Sequence, residues 1–261
     1  MIEYMDRYNI EKAIITTINR IKIIKENEDE KEKNIKDNKD IIEKLKKGMV
    51  KGQLSHQDVI ELANKAPERF FKFFWFNPKF NPDEEESSYK ILENHLKNHG
   101  FCGVKIHSAL NMFRIPRDII KLVSFMQEYD KDLILYIHST PDTSFLKGVS
   151  TRDIVKVAER FPDLRILLGH SALCMEYSFD VAYNLKKFKN IYFETSASIP
   201  YGIYNIIKTV GHKRVIFGSD SPVASPIQIE IDKILTLPIS DEEKQDIFYN
   251  NINKLLEFCR K

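Results

Sequence analysis

Leu133–Thr140 reads LILYIHST and Arg165–Ala172 reads RILLGHSA. Both are short runs of branched aliphatic residues that end in a histidine followed by a serine. A continuous apolar run of this length suits a parallel strand buried on both faces. Five more runs have the same character: AIITTI from Ala13, FFKFFWF from Phe70, CGVKIHS from Cys102, IYFETSAS from Ile191 and RVIFGSDSP from Arg214. Helical patterns separate them. Pro116 opens a helix expected over Arg117 to Tyr129, since proline suits the first helical turn. Ser150 and Thr151 can cap a helix running to Phe161, which Pro162 ends. Ser240 with Glu243 spells a capping box for the last helix. Strand and helix in alternation imply βαβ units and a parallel sheet with right-handed crossovers.

The chain has 261 residues, the usual size of an eight-stranded (β/α) barrel. The expected fold is therefore α/β, a TIM-like (β/α) barrel forming a single domain over residues 1–261. Seven strands are recognisable, and the missing one belongs at the front. MIEYMDRYNI reads as the helix that should follow a first strand, ahead of AIITTI. An in-frame strand encoded upstream would mark Met1 as an internal start. Residues 22–53 interrupt the rhythm with a dense mixture of Lys, Glu, Asp and Asn. Asp40 with Lys44 and Glu43 with Lys47 have helical i,i+4 spacing there. The stretch is expected to project from the barrel as a charged insertion.

Composition narrows the partners. Forty basic side chains nearly balance 38 acidic ones, so nothing drives the chain toward nucleic acid or an anionic membrane. No apolar run reaches the roughly 18 residues of a membrane span, and the start is not a signal peptide. Cys102, Cys174 and Cys259 have neither metal-site spacing nor the even count of a disulfide framework. A cytoplasmic protein acting on a small-molecule substrate is expected. A seven-stranded barrel would also leave open edges through which copies of the chain could associate.

Active sites of such barrels lie where the strands end. His138, His170 and Asp220 each end a strand here, and Lys105 and His107 end CGVKIH. Residues two apart share a face of a strand. Ile134 and Tyr136 therefore phase with His138, Ile166 and Leu168 with His170, and Ile216 and Gly218 with Asp220. Taken singly, each is ambiguous. A strand-end histidine can be a hydrogen-bonded structural residue, Asp220 can cap a helix, and Lys105 can lie on the surface. Taken together, three imidazoles, a carboxylate and an amine are expected at one mouth. The loop ALNMFRIP adds Arg114 as an anion contact, and TPDTSFLKG could form a wall. His56 is expected in the first turn of a helix, His95 and His99 on a helix surface, and His212 on the opposite rim.

GVKIH, YIHST, LLGHSA, ETSAS and VIFGSDSP, taken in this order, resemble the amidohydrolase-related branch of the amidohydrolase superfamily. The likeness runs from about Glu3 to the final QDIFYNNINKLL. It implies a distorted (β/α) barrel and a metal-dependent hydrolase of amide, ester or lactone carbonyls. A non-oxidative decarboxylase is the alternative, and a degenerate barrel with a binding role is a further one. By position, His138 would be a metal ligand from the family's fifth strand. His170 would bind the metal or hold the water or substrate carbonyl. Asp220 would bind the metal and act as general base. Lys105 stands where some relatives have a carboxylated lysine, or it could hold a substrate anion, and His107 would touch substrate. The implied cofactor is one divalent ion, Zn2+ or alternatively Mn2+. The family's strand-one His-x-His is missing from this sequence, so the ion would be held weakly.

Overall fold

The computed structural model describes residues 1–17, 53–80, 82–141, 148–222 and 224–260. The charged insertion at 22–53 lies outside these residues except for Gln53, and most of the TPDTSFLKG loop also lies outside them. The chain forms two compact units, Met1–Leu122 and a second made of Val123–Pro141 with Gly148–Lys261.

The first unit begins with helix α1 (Ile2–Arg7) and strand β1 (Ala13–Ile15), followed by α2 (Gln57–Lys65) and β2 (Phe70–Trp75). Helix α3 (Glu85–His99), strand β3 (Phe101–Ile106) and the one-turn α4 (Ser108–Asn111) complete it. The strands are parallel, with Ala13 opposite Phe70 and Trp75 opposite Lys105. Met5, Ala63 and Phe70 bring α1, α2 and β2 into one apolar cluster. Gly103 lets β2 and β3 pack closely, because a Cβ there would sit 2.6 Å from the Phe73 ring. Gly100 ends α3 in the left-handed conformation, at φ 63°, which glycine adopts without the Cβ penalty.

Two histidines of this unit are more deeply placed than the sequence suggests. His56 does precede α2, but it is only 1% exposed. Its ring stacks on Phe74 at 4.0 Å, its Nδ1 lies 2.9 Å from the Leu54 carbonyl, and its Nε2 accepts from the Trp75 N–H at 2.7 Å. A carbonyl can only accept, so Nδ1 carries the hydrogen and Nε2 the lone pair. His95 is half-buried against Phe74 and Phe101 rather than on the helix surface. Burial lowers its pKa, with His99 adding to the effect against a hydrogen bond to Ile91.

Helix α5 (Ile120–Tyr129) follows a 3-10 turn over Arg117–Ile119, so the expected helix is present with a tighter start. The second unit then alternates β4 (Ile134–His138), α6 (Thr151–Arg160), β5 (Arg165–Gly169), α7 (Met175–Leu185), β6 (Ile191–Glu194), α8 (Pro200–Val210) and β7 (Val215–Ile216). Helices α9 (Ile227–Leu235), α10 (Asp241–Gln245) and α11 (Asn251–Leu255) finish it. All four strands are parallel and ordered as in the chain, with His138 opposite Gly169, Leu168 opposite Phe193 and Glu194 opposite Ile216. Ser150 caps α6 through the Arg152 N–H, and Ser240 and Glu243 form the expected capping box on α10. The seven sequence runs are thus the seven strands of an α/β fold.

Candidate functional site

In the second unit His138 ends β4 and His170 follows β5. Their rings meet with His138 Nδ1 and His170 Nε2 3.0 Å apart. They come together by a route that strand alternation does not give. A Cβ on Gly169 would lie 1.9 Å from the Tyr136 hydroxyl, so Gly169 faces the side of the sheet that carries Tyr136 and His138. Ile166 and Leu168 therefore face the other way, which corrects the expected phase of this strand. His170 returns to the Gly169 side because its backbone turns left-handed, at φ 56°. Non-glycine residues seldom adopt this conformation.

On the other side of β5 lies Glu194, the last residue of β6, which the sequence reading did not single out. It is 5% exposed. Its Oε2 accepts from the His170 N–H at 3.0 Å, the Ser196 hydroxyl at 2.8 Å and the Tyr136 hydroxyl at 3.2 Å, and its Oε1 accepts from the Ser196 N–H at 2.8 Å. A buried carboxylate needs such partners to offset its desolvation. Burial pushes the Tyr136 hydroxyl well above its ordinary pKa, and the charges of Glu194 and Asp220 add to this, so Tyr136 stays a donor. Gly218 makes room for the carboxylate, since a Cβ there would fall 1.3 Å from Glu194 Oε1. Ile216 and Gly218 thus share the face expected of them. The available signal for Glu194 was that IYFE ends in an ionisable residue as LILYIH does.

Asp220 lies beyond β7, exposed and left-handed at φ 48°. Its charge acts on the same Tyr136 hydroxyl that donates to Glu194.

The other candidates belong to the first unit. Lys105 places its ammonium 4.9 Å from the centre of the Trp75 ring, a cation–π contact. His107 stacks on the same indole at 5.7 Å and accepts the Leu110 N–H through Nδ1, capping α4. Trp75 in turn donates to Asn111. Arg114 is exposed, and its backbone N–H is held by Asp118. His212, in the second unit, lies ahead of β7 and pairs with Glu243 and Asp246.

Whether these donors suit a divalent ion can be judged from their chemistry. A catalytic zinc site has three protein ligands. His138 and His170 offer two nitrogens. Among the described residues, however, no group of three His, Cys, Asp or Glu side chains is placed to hold an ion. Among the described residues, His138, His170 and Asp220 therefore do not form such a group, and the described donors by themselves do not fit the implied metal.

The amidohydrolase family model matches residues 44–258. No curated protein matches the chain. Among solved structures, a dihydroxybenzoic acid decarboxylase from Polaromonas sp. JS666, with bound manganese and the inhibitor 2-nitroresorcinol, is 17% identical. It matches over 100% of this chain and 86% of its own, with a TM-score of 0.66. The 5-carboxyvanillate decarboxylase from Sphingomonas paucimobilis is 16% identical over 98% of this chain and 82% of its own, at 0.64. A TIM-barrel protein from Bordetella bronchiseptica is 19% identical over 80% and 74%, also at 0.64. At these identities the likeness shows the fold, which is of the TIM-barrel kind.

Proposed function

The chain belongs to the amidohydrolase family, and from that premise we propose that it is an enzyme acting on a small carbonyl compound through the His138–His170 pair. The observation that carries this is the 3.0 Å contact between two imidazoles at adjacent strand ends, one of them held by a backbone turn that costs energy. Neutral imidazoles can take and return a proton near neutral pH. The reaction is hydrolysis of an amide, ester or lactone. The pair takes the proton of the attacking water and returns it to the leaving nitrogen or oxygen as its bond to the carbonyl carbon breaks. Among the described residues two imidazoles alone would hold Zn2+ or Mn2+ weakly. Decarboxylation of a hydroxybenzoate is the second reading, favoured by the fold neighbours that decarboxylate such acids.

The test is to incubate the purified chain with p-nitrophenyl acetate, a γ-lactone and 2,6-dihydroxybenzoate. His138→Gln and His170→Gln should each lower ester or lactone turnover by about 100-fold or more, the usual worth of a positioned acid–base group. Carbon dioxide released from the benzoate alone would favour the second reading. Equal rates in wild type and both variants would overturn the assignment of the site. No turnover of any substrate would leave a barrel that binds without catalysing.

A further inference from the structure

Hydrogen-bond direction in the second unit is set by one atom that has no choice. The Ser196 carbonyl lies 3.0 Å from His170 Nδ1, and a carbonyl can only accept. His170 therefore carries its hydrogen on Nδ1 and, when neutral, its lone pair on Nε2. The Ser196 hydroxyl is also 2.9 Å from Nδ1, so it too must accept from that N–H and turn its own proton elsewhere. Two oxygens are in range, those of Tyr136 and Glu194. The carboxylate is the stronger acceptor, 2.8 Å away, and it cannot donate. On the far side, the bare His170 Nε2 faces His138 Nδ1 at 3.0 Å, so His138 must supply the hydrogen of that contact.

From this we infer that Glu194 and Ser196 are positioning residues, which lock His170 in its Nδ1–H form and make His138 donate to it through Nδ1. The inference deepens the reading of this centre as the acid–base site and rests on it. With both rings neutral, hydrogens run in one direction: His138 to His170, His170 to Ser196, Ser196 to Glu194. Glu194 holds the far end in two ways. It orients the Ser196 hydroxyl, and it grips the His170 backbone N–H at 3.0 Å, beside the left-handed turn that aims the ring. Neutral histidine free in water prefers its Nε2–H form, so the opposite form in His170 is imposed by its neighbours. A carboxylate that only filled space would impose no preference.

The experiment reads the tautomer directly by nitrogen NMR of 15N-histidine-labelled protein at a pH where the rings are neutral. His138→Gln and His170→Gln spectra assign the two signals. Wild-type protein should show both rings in the Nδ1–H form. Glu194→Gln with Ser196→Ala keeps the Ser196 carbonyl but loses the hydroxyl and weakens the carboxylate grip on the His170 and Ser196 N–H groups that holds that carbonyl against Nδ1. The His170 signals should therefore shift toward the Nε2–H form, whereas Ser196→Thr alone, which keeps a hydroxyl, should keep the wild-type pattern. Dispersed amide spectra identify variants that remain folded. Should the double variant unfold, Ser196→Ala alone is read for the same shift in smaller measure. An Nε2–H signal for His170 in wild type, or a His170 signal unmoved in folded variants, overturns the inference. The readout needs no substrate. The expected tautomers with no turnover would sink the enzymatic reading alone, and turnover with the wrong tautomer would sink only the positioning role.

Discussion

At the scale of single residues, a strained or crowded backbone atom decides most of what the centre can do. Gly218 and Gly169 exist to leave space for Glu194 and Tyr136. Gly218→Ala would force a methyl into the carboxylate, and overpacking of this kind costs about 1–3 kcal/mol. Its urea midpoint should fall accordingly, and it should lose turnover because Glu194 is displaced; a midpoint equal to wild type would show that the cradle is loose. His95 gives a second residue-level expectation. Its folded pKa is lowered by burial, so the unfolded chain binds the proton more readily. The stability that His95 contributes as a neutral ring is complete above its unfolded value of 6.5 and is lost as pH falls from there through the folded value. Urea midpoints of wild type and His95→Gln, compared at pH 8 and pH 5, should differ in their drop. The variant should lose less, and an identical drop would remove His95 as the cause.

At the scale of elements, caps and strand ends were readable because their chemistry is local. Ser240 accepts the Glu243 N–H while Glu243 accepts the Ser240 N–H, and both residues stand within one turn of each other in the chain. Ser240→Ala should destabilise the protein by about 1 kcal/mol, the usual worth of such a cap, as read from chemical denaturation. Buried Arg214 shows the opposite case. Its guanidinium donates to the carbonyls of Lys186, Phe188 and Val210, tying the loop after α7 and the end of α8 to the start of β7. Nothing in the run RVIFGSDSP marks that arginine as structural rather than solvated, because two of its three acceptors are backbone atoms 26 and 28 residues away. Arg214→Leu should leave those carbonyls unsatisfied at about 1–3 kcal/mol each where they stay buried. Its melting temperature should be well below that of Arg165→Leu, whose guanidinium is a partly exposed partner of Asp132.

At the scale of the molecule, family membership and ligand set pull apart. The fold is of the TIM-barrel kind and the family is established, yet the described residues gather two imidazoles and no third metal ligand with them. Zn2+ or Mn2+ added to the purified chain should therefore be removed by dialysis against a chelator, with metal content measured before and after. Retention of one ion per chain through that dialysis would place further ligands outside the described residues.

The amino-acid sequence by itself determined the strand–helix alternation, the seven strands, the caps of α6 and α10 and the family. Each of these is written in periodicity or in residues a few positions apart, where the chain's own geometry fixes what meets what. It also marked His138, His170 and Asp220 as strand-end residues. Only the tertiary structure decided that His170 reaches His138, since that depends on a left-handed turn which reverses the strand's alternation. Only the tertiary structure revealed Glu194 as the buried carboxylate that holds the His170 backbone N–H. Its partners come from β4, the turn after β5 and the turn after β6, and the hydrogen bonds that make burial of its charge tolerable join residues up to 58 positions apart. No local pattern can announce a contact whose two sides meet only when parallel strands are laid side by side.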